Sequence, residues 1–287
     1  MIVKYNENLS TITSIGIGGK CKGIFFPETE EEFVDLLKLF DGKAKYKVIG
    51  NGTNLLFSDS YHDFFAISTR KMARKMSKRK NYVILSASSS LFEAYQFCLK
   101  HNLSGFEKLA TIPGNIGGSL ASGASCFQTS IYDFLEKVKI FHNGEIYWKS
   151  KYNLEHGYHY STFLKNNLEN PFVILSAKFC LKEGKACSIQ KEYLECSAKR
   201  KLNQPHGKSF GCVFKNKNNQ SSGMLIENCG LKGKQQGDAI ISEKHANFII
   251  NKGNATYQNI KFLIDTMEDN IKEKYNINLE KDVEIVE

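Results

Sequence analysis

The residues best placed for chemistry in this sequence are residues without side chains. Gly50-Asn51-Gly52-Thr53-Asn54 follows one apolar run, Tyr46-Lys47-Val48-Ile49, and precedes another, Leu55-Leu56-Phe57. Glycine lets backbone amides approach a bulky anion and permits positive φ. Successive N–H groups turned into one concavity make an anion-binding nest. A single Gly-x-Gly also fits an ordinary strand–turn–strand connection. A second loop shifts the balance. Ala110-Thr111-Ile112-Pro113-Gly114-Asn115-Ile116-Gly117-Gly118-Ser119 runs into Ala121-Ser122-Gly123-Ala124. Pro113 fixes its own φ, and so many residues without side chains point to close approach of a ligand to the backbone. Together the two loops are expected to hold the pyrophosphate of a dinucleotide.

Such loops need rigid flanks. Thr29 and Glu32 form a capping box, and Phe33, Leu36, Leu37 and Phe40 share one helical face. Upstream, Thr13-Ser14-Ile15-Gly16-Ile17-Gly18-Gly19 reads as a strand and tight turn, and residues 23–26 as a strand ended by Pro27. Downstream, residues 82–87 form a strand, and Ser90 with Glu93 caps a helix reaching His101. Asn143-Gly144 is a two-residue hairpin signal between strands at 138–141 and 145–148. Residues 171–181 give one more strand. In the C-terminal part Ser188 caps a helix, residues 209–216 and 245–251 read as strands, and a helix starts at Leu225. Thr256 caps a long helix with Ile260, Leu263, Ile264, Met267 and Ile271 on one stripe. The tail, 279–287, ends in an alternating strand. The expected division is 1–72 together with the tail 283–287, then 73–187, then 188–282.

A chain of 287 residues exceeds the usual single domain, so two or three are expected. No charged-then-apolar leader and no long apolar run appears, so secretion and membrane spanning are not expected. Eight cysteines without a C-x-x-C pair argue against a disulfide framework and a zinc cluster. The net charge of +9 owes seven positive charges to Arg70, Lys71, Arg74, Lys75, Lys78, Arg79 and Lys80. No aromatic residue interrupts that run, as stacking on nucleic acid would require. It is expected to be a solvated face that can steer anionic substrates.

The order of the motifs adds a resemblance. Gly-Gly at 18–19, Gly-x-Gly-x-Asn-Leu-Leu at 50–56 and Ile-Pro-Gly-x-x-Gly-Gly at 112–118 come first. Tyr-x-x-Ser-x-Phe at 158–163, Gly-Cys-Val-Phe-Lys-Asn at 211–216 and Gly-Leu-Lys-Gly at 230–233 follow. Ser-Glu-Lys-His-Ala-Asn-Phe-Ile-Ile-Asn at 242–251 and Leu-Glu-x-x-Val at 279–283 complete the series. Over nearly its whole length the chain resembles the UDP-N-acetylenolpyruvoylglucosamine reductase family, in its shorter form, which makes UDP-N-acetylmuramate for peptidoglycan.

The resemblance implies an α+β architecture: a vanillyl-alcohol-oxidase-like (PCMH-type) FAD-binding fold of two subdomains, plus a C-terminal α+β substrate-binding domain. FAD would be the cofactor, NADPH the reductant and a UDP-sugar the substrate. No metal, nucleic acid or membrane span is implied, and the expectation is a cytoplasmic monomer. Carried over, Gly50, Asn51, Gly52, Thr53, Asn54 and Leu55 would hold the pyrophosphate. Thr111, Pro113, Gly114, Gly117 and Gly118 would line the isoalloxazine and its phosphates, with Ser122 and Gly123 as further cofactor contacts. Tyr158, Lys215, Asn216, Lys232 and His245 would contact substrate. Reduction of the enolpyruvyl ether places charge beside its carboxylate, which needs stabilisation and a proton donor.

The family donor is a serine flanked by a glutamate and an arginine. The matching residues here are Cys212, Asp282 and His159. A thiol is a far stronger acid than an aliphatic hydroxyl, so the donor role survives. Asp282 keeps the carboxylate with a shorter reach, and Glu280 and Glu284 lie close enough to compete for the alignment. Histidine lacks the planar fork that grips a carboxylate. Either His159 is held protonated beside the substrate, or it is a surface loop residue and another cation serves. Two other outcomes compete with the reductase: a different FAD-dependent oxidoreductase of the same fold, and a degenerate flavin-binding homologue without catalysis.

Overall fold

The computed structural model describes residues 1–165, 168–217 and 220–287. The chain divides into two compact units. The first comprises Met1–Tyr5, Lys22–Asn51 and Asp63–Arg200; the second comprises Asn6–Cys21, Gly52–His62 and Lys201–Glu287. The division falls inside the first glycine loop.

The first unit contains two larger sheets. One has four strands in the order Ile2–Tyr5, Cys21–Phe26, His62–Ser68, Tyr46–Ile49. Tyr46–Ile49 runs parallel to its neighbour, with Tyr46 opposite Phe65. The helix Glu30–Phe40 forms as its pattern predicts: Thr29 accepts the Glu32 N–H, and Phe33, Leu36, Leu37 and Phe40 are buried. Those four pack with Phe25, Tyr46 and Ile67 into one core. The other sheet is antiparallel, in the order Glu145–Ser150, Leu135–His142, Val173–Cys180, Tyr82–Ser86, Met76–Arg79. Its hairpin turns at Asn143 and Gly144, both at positive φ (51° and 72°), the type I′ geometry that Asn-Gly favours. The helix Leu91–Lys100 carries the expected Ser90–Glu93 capping box. Ile116–Ser122 is a short helix inside the second glycine loop. The helix Ala186–Asn203 starts two residues before Ser188.

The basic run resolves into distinct parts. Met76–Arg79 is an exposed edge strand, where lysine and arginine discourage pairing with other chains. Arg74 pairs with Glu93 and Lys75 with Glu31.

The second unit is built on the helix Tyr257–Tyr275, whose Thr256 cap and six buried side chains match the sequence pattern. Burying each large apolar one is worth about 1.5–3 kcal/mol relative to exposure. The helix packs with Phe210, Val213, Phe214, Ile241 and Ile249. A three-stranded antiparallel sheet joins Gln235–Gln236, Ala239–Ile241 and Ile249–Asn251. Leu55–Phe57 pairs in parallel with Glu284–Val286, with Leu55 opposite Glu284.

Three expected strands are corrected. Residues 209–216 make only single bridges, Cys212 to Phe248 and Phe214 to Lys281. Gly211, at φ 88°, breaks the extended run. Of residues 245–251 only Ile249–Asn251 is a strand, because the Phe248 N–H turns back onto the His245 carbonyl. The expected helix at Leu225 begins earlier, over Ser222–Asn228, because Ser221 caps it. The expected strand and tight turn at 13–19 form no strand; the segment bends, with Gly16 at φ 72°. Among the described residues no helix is long and apolar enough to cross a membrane.

Candidate active site

In the first unit a single carboxamide organises both glycine segments. Asn115 caps the helix Ile116–Ser122 by accepting the Gly118 N–H at 2.9 Å, and its Nδ2 donates to Thr69 Oγ1 at 3.4 Å. Gly50 lies against the same group; a Cβ there would sit 2.5 Å from Asn115 Oδ1. Asn51 Nδ2 donates to the Pro113 carbonyl at 3.5 Å. Arg70 Nη2 donates to the Asn51 carbonyl at 2.6 Å. The structure therefore brings residues 50–51 and 113–118 together, as expected of paired loops. Burial lowers the Arg70 guanidinium from its usual value, yet arginine stays cationic in proteins. Arg70 is thus turned inward rather than lying on a solvated basic face.

The second loop spends most of its N–H groups within the chain, and those of Gly114 and Asn115 meet no acceptor among the described residues. Its N–H groups at Ile112, Ile116 and Gly117 go to the carbonyls of Leu109, Ser89 and Ala87, and Gly118 goes to Asn115. Its glycines also answer to the chain's own packing. A Cβ on Gly117 would meet Ala87 Cβ at 2.9 Å, and one on Gly118 would meet Asn115 Oδ1 at 2.8 Å. Ligand approach is therefore not the sole reason for the missing side chains. Pro113 and Gly118 are exposed, Thr111, Gly117 and Ser122 are partly exposed, and Gly114 and Gly123 are buried. Thr111 Oγ1 donates to the Lys108 carbonyl at 2.7 Å.

Tyr158 and His159 form the tip of a hairpin in which Gly157 faces Tyr160 and His156 faces Ser161. His159 has φ 49°, the left-handed turn conformation. Buried Ser161 donates to the Ala121 carbonyl at 2.6 Å, and Gly123 has no room for a Cβ beneath Tyr160. His156 stacks on Tyr132 with centroids 4.4 Å apart. These contacts fix the hairpin base to the end of the helix Ile116–Ser122, and its tip presents exposed Tyr158 beside half-exposed His159.

In the second unit Gly52 has φ 62°, and a Cβ there would lie 2.1 Å from the Ile12 carbonyl oxygen. The Gly52 carbonyl accepts the Ser14 N–H at 2.9 Å. The Ser14 hydroxyl lies 3.1 Å from that carbonyl and 2.6 Å from the Ser209 carbonyl. Among the described residues the N–H groups of Gly52, Thr53 and Asn54 meet no acceptor. Unpartnered N–H groups on consecutive residues suit an anion. Leu55 starts the strand that follows, and the Asn54 side chain turns to the Asp282 carbonyl at 2.9 Å.

Cys212 is half-buried on a segment clamped from two sides. Asn247 donates from Nδ2 to the Phe214 carbonyl at 2.8 Å and accepts the Phe214 N–H at 3.0 Å. The Val213 carbonyl accepts the Asp282 N–H at 2.8 Å. Asp282 thus pairs through its backbone with the residue next to Cys212. Glu280 is engaged elsewhere, 2.6 Å from Lys215 Nζ, whose side chain is only 13% exposed.

The helix Ser222–Asn228 gathers the four remaining candidates. Ser222 N–H donates to Asn216 Oδ1 at 3.1 Å, and the Ser222 hydroxyl donates to the Lys215 carbonyl. Lys232 pairs with Glu227 at 2.6 Å. His245 Cε1 would lie 2.9 Å from a Cβ on Gly223. Burial, with the Lys232 charge second, lowers the pKa of His245. Its neutral ring accepts the Asn247 N–H at Nδ1 (3.3 Å), which leaves Nε2–H as a donor.

Four organising residues escaped the sequence reading. Asn115 carried a signal, since Asn before a short helix favours the N-cap. Asn247 is a polar residue in an apolar run, which when buried must find partners. Arg70 was masked by the charges around it, and nothing in the sequence marks Ser14.

The comparisons follow the same division of labour. A family model described as UDP-N-acetylenolpyruvoylglucosamine reductase, C-terminal domain, matches residues 202–286, and one described as FAD binding domain matches residues 21–148. The UDP-N-acetylenolpyruvoylglucosamine reductase of Petrotoga mobilis is 36% identical, over 99% of this chain and 94% of that protein. This chain belongs to the UDP-N-acetylenolpyruvoylglucosamine reductase family. A second relative of that name, from Fusobacterium nucleatum, is 32% identical over 98% of both chains. The crystal structure of UDP-N-acetylenolpyruvylglucosamine reductase from Thermus caldophilus aligns with a TM-score of 0.82 at 31% identity, covering 98% of each chain. The fold is α+β, an FAD-binding domain with the family's C-terminal domain, and the family is one of FAD-dependent oxidoreductases acting in peptidoglycan precursor synthesis.

Proposed function

We propose that this protein reduces UDP-N-acetylglucosamine enolpyruvate to UDP-N-acetylmuramate, using NADPH as reductant. The observation that carries the reading is the Cys212 segment, which Asn247 and the Asp282 backbone hold rigidly within the family-matched domain. The acceptor-free N–H groups of Gly52, Thr53 and Asn54 fit the diphosphate of FAD, with Gly50, Asn51 and Leu55 completing that loop. Bound FAD would supply hydride transfer from NADPH to the terminal carbon of the enolpyruvyl group. Thr111, Pro113, Gly114, Gly117, Gly118, Ser122 and Gly123 supply shape more than donors to the flavin.

Cys212 gives its thiol proton to the carbon beside the substrate carboxylate, where charge accumulates as the hydride arrives. Asp282 is the flanking carboxylate, since Glu280 is paired with Lys215. His159 is the side chain assigned to the substrate carboxylate, and Tyr158 lies beside it at the hairpin tip. Lys215, Asn216 and Lys232 are assigned to the UDP-sugar, with neutral His245 as a hydrogen-bond donor. The three-part domain division stands as part of this proposal, with 188–282 as the substrate portion.

Stopped-flow flavin absorbance tests the reading. The purified protein should be yellow, bleach with NADPH and recover colour with the enolpyruvyl substrate. Cys212→Ala should leave bleaching intact and slow colour recovery by roughly 10²–10⁴-fold. Protein that cannot be reconstituted with FAD would overturn the function, and unchanged recovery would remove Cys212 from the chemistry.

A further inference from the structure

We infer that Asn54 acts as a positioning residue for Asp282, not as a side-chain ligand of the diphosphate; this rests on the reductase reading above. The Asn54 carboxamide donates to the Asp282 carbonyl at 2.9 Å, and the Asn54 carbonyl accepts the Glu284 N–H at 3.1 Å. On its other side Asp282 donates its N–H to the Val213 carbonyl at 2.8 Å. Both peptide groups flanking Asp282 are therefore fixed, one by Asn54 and one by the residue after Cys212. Fixing both sets the direction in which the Cα–Cβ bond leaves the backbone. An aspartate has only two side-chain torsions beyond that bond, so the backbone largely decides where its carboxylate lies.

Asn54 serves two directions at once. Its N–H meets no acceptor among the described residues and lies in the loop assigned to the diphosphate. Its side chain is committed to the strand that carries the carboxylate, and Leu55 continues into register with Glu284. An anion that orders the loop at 52–54 thus orders the Asp282 backbone through the same residue. Asparagine suits the position because it offers a donor on a short side chain. Aspartate there would set an acceptor against a carbonyl, and leucine would leave that carbonyl without its partner.

The test uses the FAD-loaded enzyme, with Asn54→Leu, Asp282→Asn and the double variant. With Asn54→Leu, which keeps the backbone N–H, the loss of FAD affinity by flavin fluorescence should stay below about tenfold, and NADPH bleaching, then read on variant saturated with FAD, should be unchanged. Recovery of colour with the enolpyruvyl substrate should slow on the order of a hundredfold. The double variant should be no slower than Asp282→Asn, as residues acting through one another require. Tenfold or greater loss of FAD affinity makes Asn54 a diphosphate ligand and overturns the proposal, as do additive effects or unaltered recovery. A wild-type enzyme that bleaches with NADPH but never recovers with this substrate defeats the reductase reading instead. Hydrogen exchange on wild-type apoprotein supplies a readout that needs no variant. Adding FAD should slow exchange of the Asp282 and Glu284 amides on the order of tenfold, and unchanged exchange there would overturn the coupling.

Discussion

The two glycine loops look alike in sequence and differ in what they leave available. In the second loop the N–H groups at Ile112, Ile116, Gly117 and Gly118 are consumed within the chain, and the glycines fit against Ala87 and Asn115. In the first loop Gly52, Thr53 and Asn54 hold their N–H groups without acceptors among the described residues. The carbonyls of the first loop are engaged instead: Asn51 by Arg70, Gly52 by Ser14, and Asn54 by Glu284. Anchoring a loop through its carbonyls leaves its donors free for an anion. Anchoring it mainly through its donors leaves the second loop fewer of them, at Gly114 and Asn115. A glycine-rich motif therefore does not by itself announce an anion site; the direction in which its peptide groups are spent decides that.

The largest expected effect comes from Gly52→Ala. Its Cβ would fall 2.1 Å from a backbone oxygen at φ 62°. The conformational penalty alone is about 1–2 kcal/mol. Shifting the loop N–H groups should lower FAD affinity by roughly ten- to a hundredfold, the loss of one charge-assisted hydrogen bond. Fluorescence titration with FAD measures this, and affinity within twofold of wild type would erase the contrast between the loops. Asn115→Ala comes next. It removes a helix cap and opens space beside Gly50, and should cost about 1–3 kcal/mol in denaturant unfolding. Its effect on FAD affinity should be smaller than that of Gly52→Ala; the reverse order would mean that the second loop is the anion site. Arg70→Met should cost about 1–2 kcal/mol by loss of a charged hydrogen bond to Asn51, and Arg70→Lys should recover part of it. Equal stability in all three proteins would return Arg70 to the solvated basic face.

The smallest effect concerns pH in the unit that carries residues 52–54. His245 has a lowered pKa and is neutral in the fold, whereas the unfolded imidazole binds a proton below about 6.5. The unfolded state then holds more protons, so stability falls as pH drops through that value toward the folded pKa. His245→Gln should remove that fall, worth less than about 1 kcal/mol across pH 6.5 to 5.5, as read by thermal unfolding. An identical acid slope in wild type and variant would show that the ring is solvated.

What the sequence revealed divides along the same lines as the physics. Local signals were legible: the caps at Thr29, Ser90 and Thr256, the Asn143-Gly144 turn, and the apolar stripe through Ile260 and Ile271 all form as read. The motif order identified the family. The segment at 209–216 misled because apolar residues around Cys212 look like a strand, while Gly211 and the Asn247 clamp make a bridged loop. The roles of Asn115, Arg70 and Ser14 were hidden because each depends on a partner distant in sequence: Gly50, Asn51 and Ser209. The carried-over pattern named Cys212, Asp282 and His159, but not that Asp282 is tied to Val213 or that His159 sits at positive φ.

The parallel pairing of Leu55–Phe57 with Glu284–Val286 also governs the order of events during synthesis. The early segment emerges from the ribosome long before the strand that completes it. Until residue 286 is made, the apolar edge at 55–57 lacks the strand it pairs with. Unpaired edges of this kind recruit other chains, and contacts so distant in sequence close slowly. The exposed edge is shielded meanwhile only by its shortness, three residues. Lengthening it with further apolar residues would turn a brief stage of synthesis into an aggregation hazard, even if the finished protein accommodated them.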